Sequence, residues 1–95
     1  MPRYLVVRRF DVTEDAMPQV GRKSRVTIEE EFPQITWEHS HVTVSDEGQV
    51  RTYCVYSAPG RDVLHEHASA LGSHVVDEIQ EIAGDVSPAD FPSAS

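Results

Sequence analysis

Two segments of alternating character, residues 35–44 and 50–58, are joined by Ser45-Asp46-Glu47-Gly48-Gln49. A short acidic turn with glycine near its end supplies the positive φ that tight hairpins need. The pair is therefore expected to fold as an antiparallel hairpin, and the turn sets its register. With Ser45 opposite Gln49, His41 faces Tyr53, Ser40 faces Cys54 and His39 faces Val55. Side chains alternate between the faces of a strand. One face then carries Thr36, Glu38, Ser40, Val42 and Val44 with Val50, Thr52, Cys54, Tyr56 and Ala58. The other carries Ile35, Trp37, His39, His41 and Thr43 with Arg51, Tyr53, Val55 and Ser57. The first set is mostly small or aliphatic and suits packing beneath helices. The second is larger, aromatic and basic, and is expected on the uncovered face. A slip of one residue would exchange these assignments.

The flanking segments complete the pattern. Residues 3–10 are rich in Tyr, Leu, Val and Phe and read as a first strand. Met17, Val20, Ser24, Ile28 and Phe32 recur at helical spacing. Pro18 is tolerated only near a helix start, so that helix is expected over 18–31, ended by Pro33. Pro59-Gly60 breaks the chain before a second helix over 61–71, which Gly72 closes. Residues 75–83 read as a fourth strand, and 84–95 as loop. Strand, helix, strand, strand, helix, strand is the split βαβ order of an α+β, ferredoxin-like βαββαβ fold. Both helices should cover one face of an antiparallel sheet. The expected organisation is a single domain over 1–84 and a C-terminal tail or arm over 85–95.

Trp37, Tyr53, Val55 and Ile35 on an uncovered face would form an apolar patch, and such patches mark interfaces or pockets. Two sheets packed face to face, a dimeric α+β barrel, would cover it. Ninety-five residues bury only a modest core, and oligomerisation commonly supplements chains of this size. The expected partner is thus a second copy, forming a homodimer.

Sixteen acidic against eight basic residues give a net charge of −8, which disfavours nucleic acid and favours cations. No apolar run approaches a membrane span. The N-terminus leads into a strand-like segment rather than a signal-peptide pattern, and Cys54 is the only cysteine. These features fit a reducing cytoplasm.

His39 and His41 are the most informative residues. Two positions apart on a strand, they project to one side, and neutral imidazole suits zinc, copper, iron and nickel. The competing reading is an interface in which both rings stack on Trp37 and Tyr53. His67 is a third candidate ligand. It falls on the apolar side of the second helix with Val63, Leu64, Ala68 and Leu71, where a buried neutral imidazole held by a hydrogen bond is the alternative. With the helices over the opposite face, His67 should not share an ion with the pair unless another subunit contributes. His65 falls on the solvent side beside Asp62 and Glu66. Cys54 is expected on the helix-covered face with no histidine beside it, as a small apolar residue. No phosphate loop, Ser-His-Asp pattern or CxxC pair is present.

Trp37-Glu38-His39-Ser40-His41-Val42-Thr43, Tyr53-Cys54-Val55-Tyr56-Ser57-Ala58-Pro59 and His65-Glu66-His67-Ala68 together resemble a family of small bacterial nickel-binding, ferredoxin-like proteins, formerly a domain of unknown function. Trp37, Ser40, Tyr53, Cys54, Glu66, His67 and Ala68 match its pattern. His41 departs from it, since an aromatic residue is usual there, and so does Leu71-Gly72-Ser73-His74. The resemblance implies a ferredoxin-like dimer that sequesters nickel or another divalent transition metal. A fold-level alternative is a cofactor-independent barrel enzyme, a cyclase, isomerase or monooxygenase, with a pocket at the open sheet face.

Overall fold

The computed structural model of the chain describes residues 1–94. Strand β1 spans Arg3–Phe10, β2 Thr36–Val44, β3 Val50–Ser57 and β4 His74–Glu81. Helix α1 spans Met17–Glu31 and α2 Arg61–Leu71. The strands form one antiparallel sheet in the order β2-β3-β1-β4. This is the ferredoxin-like βαββαβ arrangement, with both helices on one face. Short 3-10 turns precede α1 at Glu14–Ala16 and punctuate the C-terminal arm at Pro88–Asp90.

Local chemistry explains the helix limits. Pro18 sits in the first turn of α1, where its missing N–H breaks no bond. The helix stops at Phe32, before Pro33. Helix α2 ends at Gly72, whose φ of 72° and ψ of −177° suit a residue without Cβ. The Gly72 N–H bonds the Ala68 carbonyl at 3.1 Å. Lys23 Nζ, reaching across from α1, donates to the Leu71 carbonyl at 2.9 Å and so satisfies the end of α2.

The hairpin register holds as the turn dictates. Ser45 N–H donates to the Gln49 carbonyl at 3.0 Å, and Gly48 adopts φ of 86°. His41 pairs with Tyr53, Ser40 with Cys54 and His39 with Val55. The register then shifts between Trp37 and His39. Glu38 is the extra residue of this β-bulge, and the bulge reverses the facing of everything before it. Trp37 pairs with Tyr56 and Thr36 with Ser57. Trp37 and Ile35 therefore lie on the helix side, not on the open face expected from strict alternation. Thr36 and Glu38 move the other way. Ile35 is buried in the core with Tyr4, Val6, Ile28, Tyr56 and Leu64. A second register shift lies in the β1–β4 pairing between Val7 and Arg8, where Asp77 is passed over and turns to Arg9.

The core fills the space between sheet and helices. Tyr4, Val6, Arg8 and Phe10 are the helix-facing residues of β1, and all four are buried. Val63, Leu64, His67, Ala68 and Leu71 form the buried stripe of α2. Full burial of a side chain such as Leu64 contributes about 2 kcal/mol.

Beyond β4 the chain continues along the end of β1. Ile82 N–H bonds the Arg3 carbonyl at 2.8 Å, and Asp85 accepts from Arg3 Nη1 at 2.6 Å. Ser87 and Asp90 cap the last turn reciprocally. Val86 and Phe91 of this arm are largely exposed.

Candidate functional site

His39 and His41 are both exposed on the face opposite the helices, with ring centroids 5.4 Å apart and rings edge to face. A metal–imidazole bond of about 2.1 Å puts a ring centroid roughly 3 Å from an ion, so both rings can reach one ion. Trp37, displaced by the bulge, does not stack on them; its ring tilts against Tyr56 at 6.5 Å. The bulge instead brings Glu38 to the histidine side. Its carboxylate accepts from Arg3 Nε at 2.8 Å, Arg3 Nη2 at 3.0 Å and Ser57 Oγ at 3.1 Å. The hydrogen bonds from Arg3 hold this carboxyl below the usual range. Among the described residues no cluster of three or more His, Cys, Asp or Glu is placed to enclose a metal. The remaining coordination positions of an ion on the pair would fall to water or to a second copy.

His67 is not brought to this pair. It lies on the helix side of the sheet at 0% exposure. Its Nδ1 is 3.3 Å from Arg8 Nη2, and its Nε2 is 3.2 Å from Ser24 Oγ. A guanidinium only donates, so Nδ1 accepts and Nε2 carries the proton toward Ser24. Burial first, then the positive charge of Arg8, pushes His67 down to about 4. It is the buried, neutral, hydrogen-bonded imidazole that its place on the apolar side of α2 allows. His65 is exposed, and His74 stacks on Phe10 at 4.9 Å.

A cavity of about 260 Å³ opens between α1 and the sheet, on the helix side rather than at the histidine face. Arg8, Ser24, Trp37, Ser40, Thr52 and Cys54 supply its polar lining. Phe10, Met17, Val20, Gly21, Val42, Tyr56 and Leu71 line the rest. Arg8 is 2% exposed, and its guanidinium lies 5.3 Å from the centroid of the Tyr56 ring. Burial raises the Tyr56 hydroxyl, which stays protonated. Cys54 is buried, with Sγ 3.4 Å from Thr52 Oγ1.

Sequence reading passed over Arg8, although the strand carried a signal for it. Tyr4, Val6 and Phe10 share its strand parity, and a cation at an otherwise apolar position signals either a buried network or a ligand site.

Fold and surface together define a small ferredoxin-like α+β protein with a histidine pair on an uncovered sheet and a cationic cavity beneath its helices. The chain belongs to the family described as nickel responsive protein SCO4226-like, which matches residues 4–82. Its structure is similar to the crystal structure of SCO4226 from Streptomyces coelicolor A3(2), with 20% sequence identity and a TM-score of 0.69 over 88% of this chain and 99% of that one. At that identity the likeness establishes the fold. Among curated proteins none matches the chain. No helix among the described residues is long and apolar enough to cross a membrane.

Proposed function

We propose that the protein binds and sequesters nickel as a homodimer, using His39 and His41 on the uncovered sheet face. The observation that carries this reading is the pair itself: two exposed imidazoles, 5.4 Å apart, aimed to one side of a strand. Membership of a nickel-responsive family makes nickel the metal of choice among those imidazole suits. Nickel is cargo here, not a resident cofactor.

The dimer follows from coordination arithmetic. Two histidines leave a divalent ion short of protein ligands. A two-fold interface repeats each residue across its axis, so a second copy facing this sheet would bring its own pair toward the same region. The lone cysteine is buried and unpaired by any disulfide, in keeping with a cytoplasmic setting.

Calorimetric titration of tag-free, metal-free protein with nickel tests the proposal, beside a His39→Ala, His41→Ala double variant and with light scattering on both. Micromolar or tighter binding to the wild type, lost in the variant, is expected, together with the mass of a dimer. Equal affinity in the two proteins would overturn the site.

A further inference from the structure

The cavity beneath α1 has an unusual polar inventory: a buried guanidinium, several hydroxyls and no carboxylate. Arg8 carries five N–H groups. Nη2 donates to His67 and the guanidinium also bonds the Tyr56 hydroxyl, while Nε is buried without a partner. None of the ion pairs among the described residues involves Arg8. A buried cation without a counter-charge is costly and is rarely retained without use.

The hydroxyls repeat the pattern. Ser24 Oγ already accepts from His67 Nε2–H, and Ser40 Oγ accepts from Trp37 Nε1–H at 2.8 Å. Thr52 Oγ1 accepts from Cys54 Sγ. Each of these hydroxyls can still donate its own hydrogen, and each residue lines the cavity.

The remaining wall is apolar, and the volume lies below the roughly 300–1,000 Å³ of sites for drug-sized ligands. At the rim, Gly21 has no atom within 4 Å of where a Cβ would stand, so α1 leaves open space beside the cavity.

We infer that this cavity is a binding site for a small monocarboxylate with an apolar body, its head group on Arg8 and the Ser24, Ser40 and Thr52 hydroxyls. The site is independent of the histidine pair, which lies across the sheet. The charge discriminates strongly: a buried guanidinium pairs with a carboxylate through two parallel bonds and gains little from an amide or alcohol. The net surface charge of −8 opposes entry of polyanions and leaves a singly charged acid as the fitting occupant.

Trp37 lines the cavity and is the only tryptophan, so its emission reports occupancy directly. Benzoate and hexanoate are titrated into the full chain, with benzamide, hexanol and sodium sulfate as controls, reading Trp37 fluorescence and thermal midpoint. Saturable binding of at least one acid is expected, at least about tenfold tighter than its neutral analogue, as one charge-assisted hydrogen bond warrants. Arg8→Met keeps the volume, removes the charge and is expected to stay folded; it should abolish the preference for acid. Gly21→Leu, which keeps Arg8 and fills the rim, should weaken the same acid about tenfold or more. No saturation by either acid below about 10 mM, equal binding of neutral analogues, or an unchanged preference in Arg8→Met would each overturn the proposal. Equal responses to sulfate and the acids would do the same, since they would indicate a general anion effect.

Discussion

Arg8 Nη2 donates to His67 Nδ1 at 3.3 Å inside the layer between helices and sheet, and the contact fixes the imidazole as its Nε2–H tautomer. A strand cation and a helix imidazole are thereby coupled with Ser24 of α1 in one buried chain of hydrogen bonds. The chain joins β1, α2 and α1 across the core.

Acid should loosen this arrangement. His67 titrates near 6.5 when unfolded and at about 4 when folded. Between those values the unfolded state binds the extra proton, so stability is complete above about 6.5 and falls as pH drops toward 4. His74, lowered chiefly by burial, acts in the same direction. The groups facing His67 are Arg8, Ser24, His74, Tyr56 and Phe32, and none is a carboxylate that could stabilise the imidazolium. His67→Gln can accept from Arg8 and donate to Ser24 without titrating. Thermal midpoints measured from pH 7 to pH 4 should fall less steeply in this variant, the residual slope belonging to His74 and to Glu38. An identical slope in both proteins would place the acid sensitivity elsewhere.

Trp37 and Ser40 form a second coupled pair across the bulge. Removing the Ser40 hydroxyl leaves the indole N–H without its 2.8 Å acceptor, so Ser40→Ala should cost about 1 kcal/mol. The same change made in a Trp37→Phe background should cost distinctly less, because no donor is then left unpaired. Urea unfolding of the wild type, the single variants and the double variant measures this coupling. Additive effects would mean the bond contributes nothing to stability.

These two networks show what the sequence made legible. The Asp46-Glu47-Gly48 turn and the apolar periodicities were enough for the element order, the hairpin register and the burial of His67, because each is a local pattern read against one period. The facing of Ile35, Trp37, Thr36 and Glu38 was not legible in that way. An inserted residue changes strand parity without leaving a signature in hydrophobicity, and Glu38 turns outward because Arg3, distant in sequence, supplies its partner. The donors of the cavity were hidden for the same reason: Arg8, Ser24, Ser40 and Thr52 converge from β1, α1, β2 and β3.

The exposed arm offers a further test of association. Phe91 is 62% exposed and Val86 73% exposed beyond the last strand, although both are large apolar residues. If the arm reaches a second copy, truncation after Ile82 should weaken dimerisation at least about tenfold while leaving far-ultraviolet dichroism of the domain intact. Sedimentation equilibrium of the two chains reads this directly, and unchanged association would assign the arm no role in it.

Two glycines at helices should respond with opposite sign to the same substitution. Gly72 closes α2 with φ of 72° and ψ of −177°, a region that side chains with a Cβ avoid. Gly72→Ala should therefore destabilise by about 1–3 kcal/mol. Gly21 lies inside α1 without a positive φ, and a Cβ there meets no atom within 4 Å. Backbone entropy alone predicts that Gly21→Ala stabilises by about 0.5–1 kcal/mol. The methyl would also narrow the rim of the cavity that Gly21 lines. Stability should thus rise while binding of an apolar acid weakens or holds, which separates the helix contribution from the ligand contribution. Chemical denaturation of both variants, with and without benzoate, measures the two effects together. A loss of stability in Gly21→Ala would show that the open space beside α1 is needed by the fold itself.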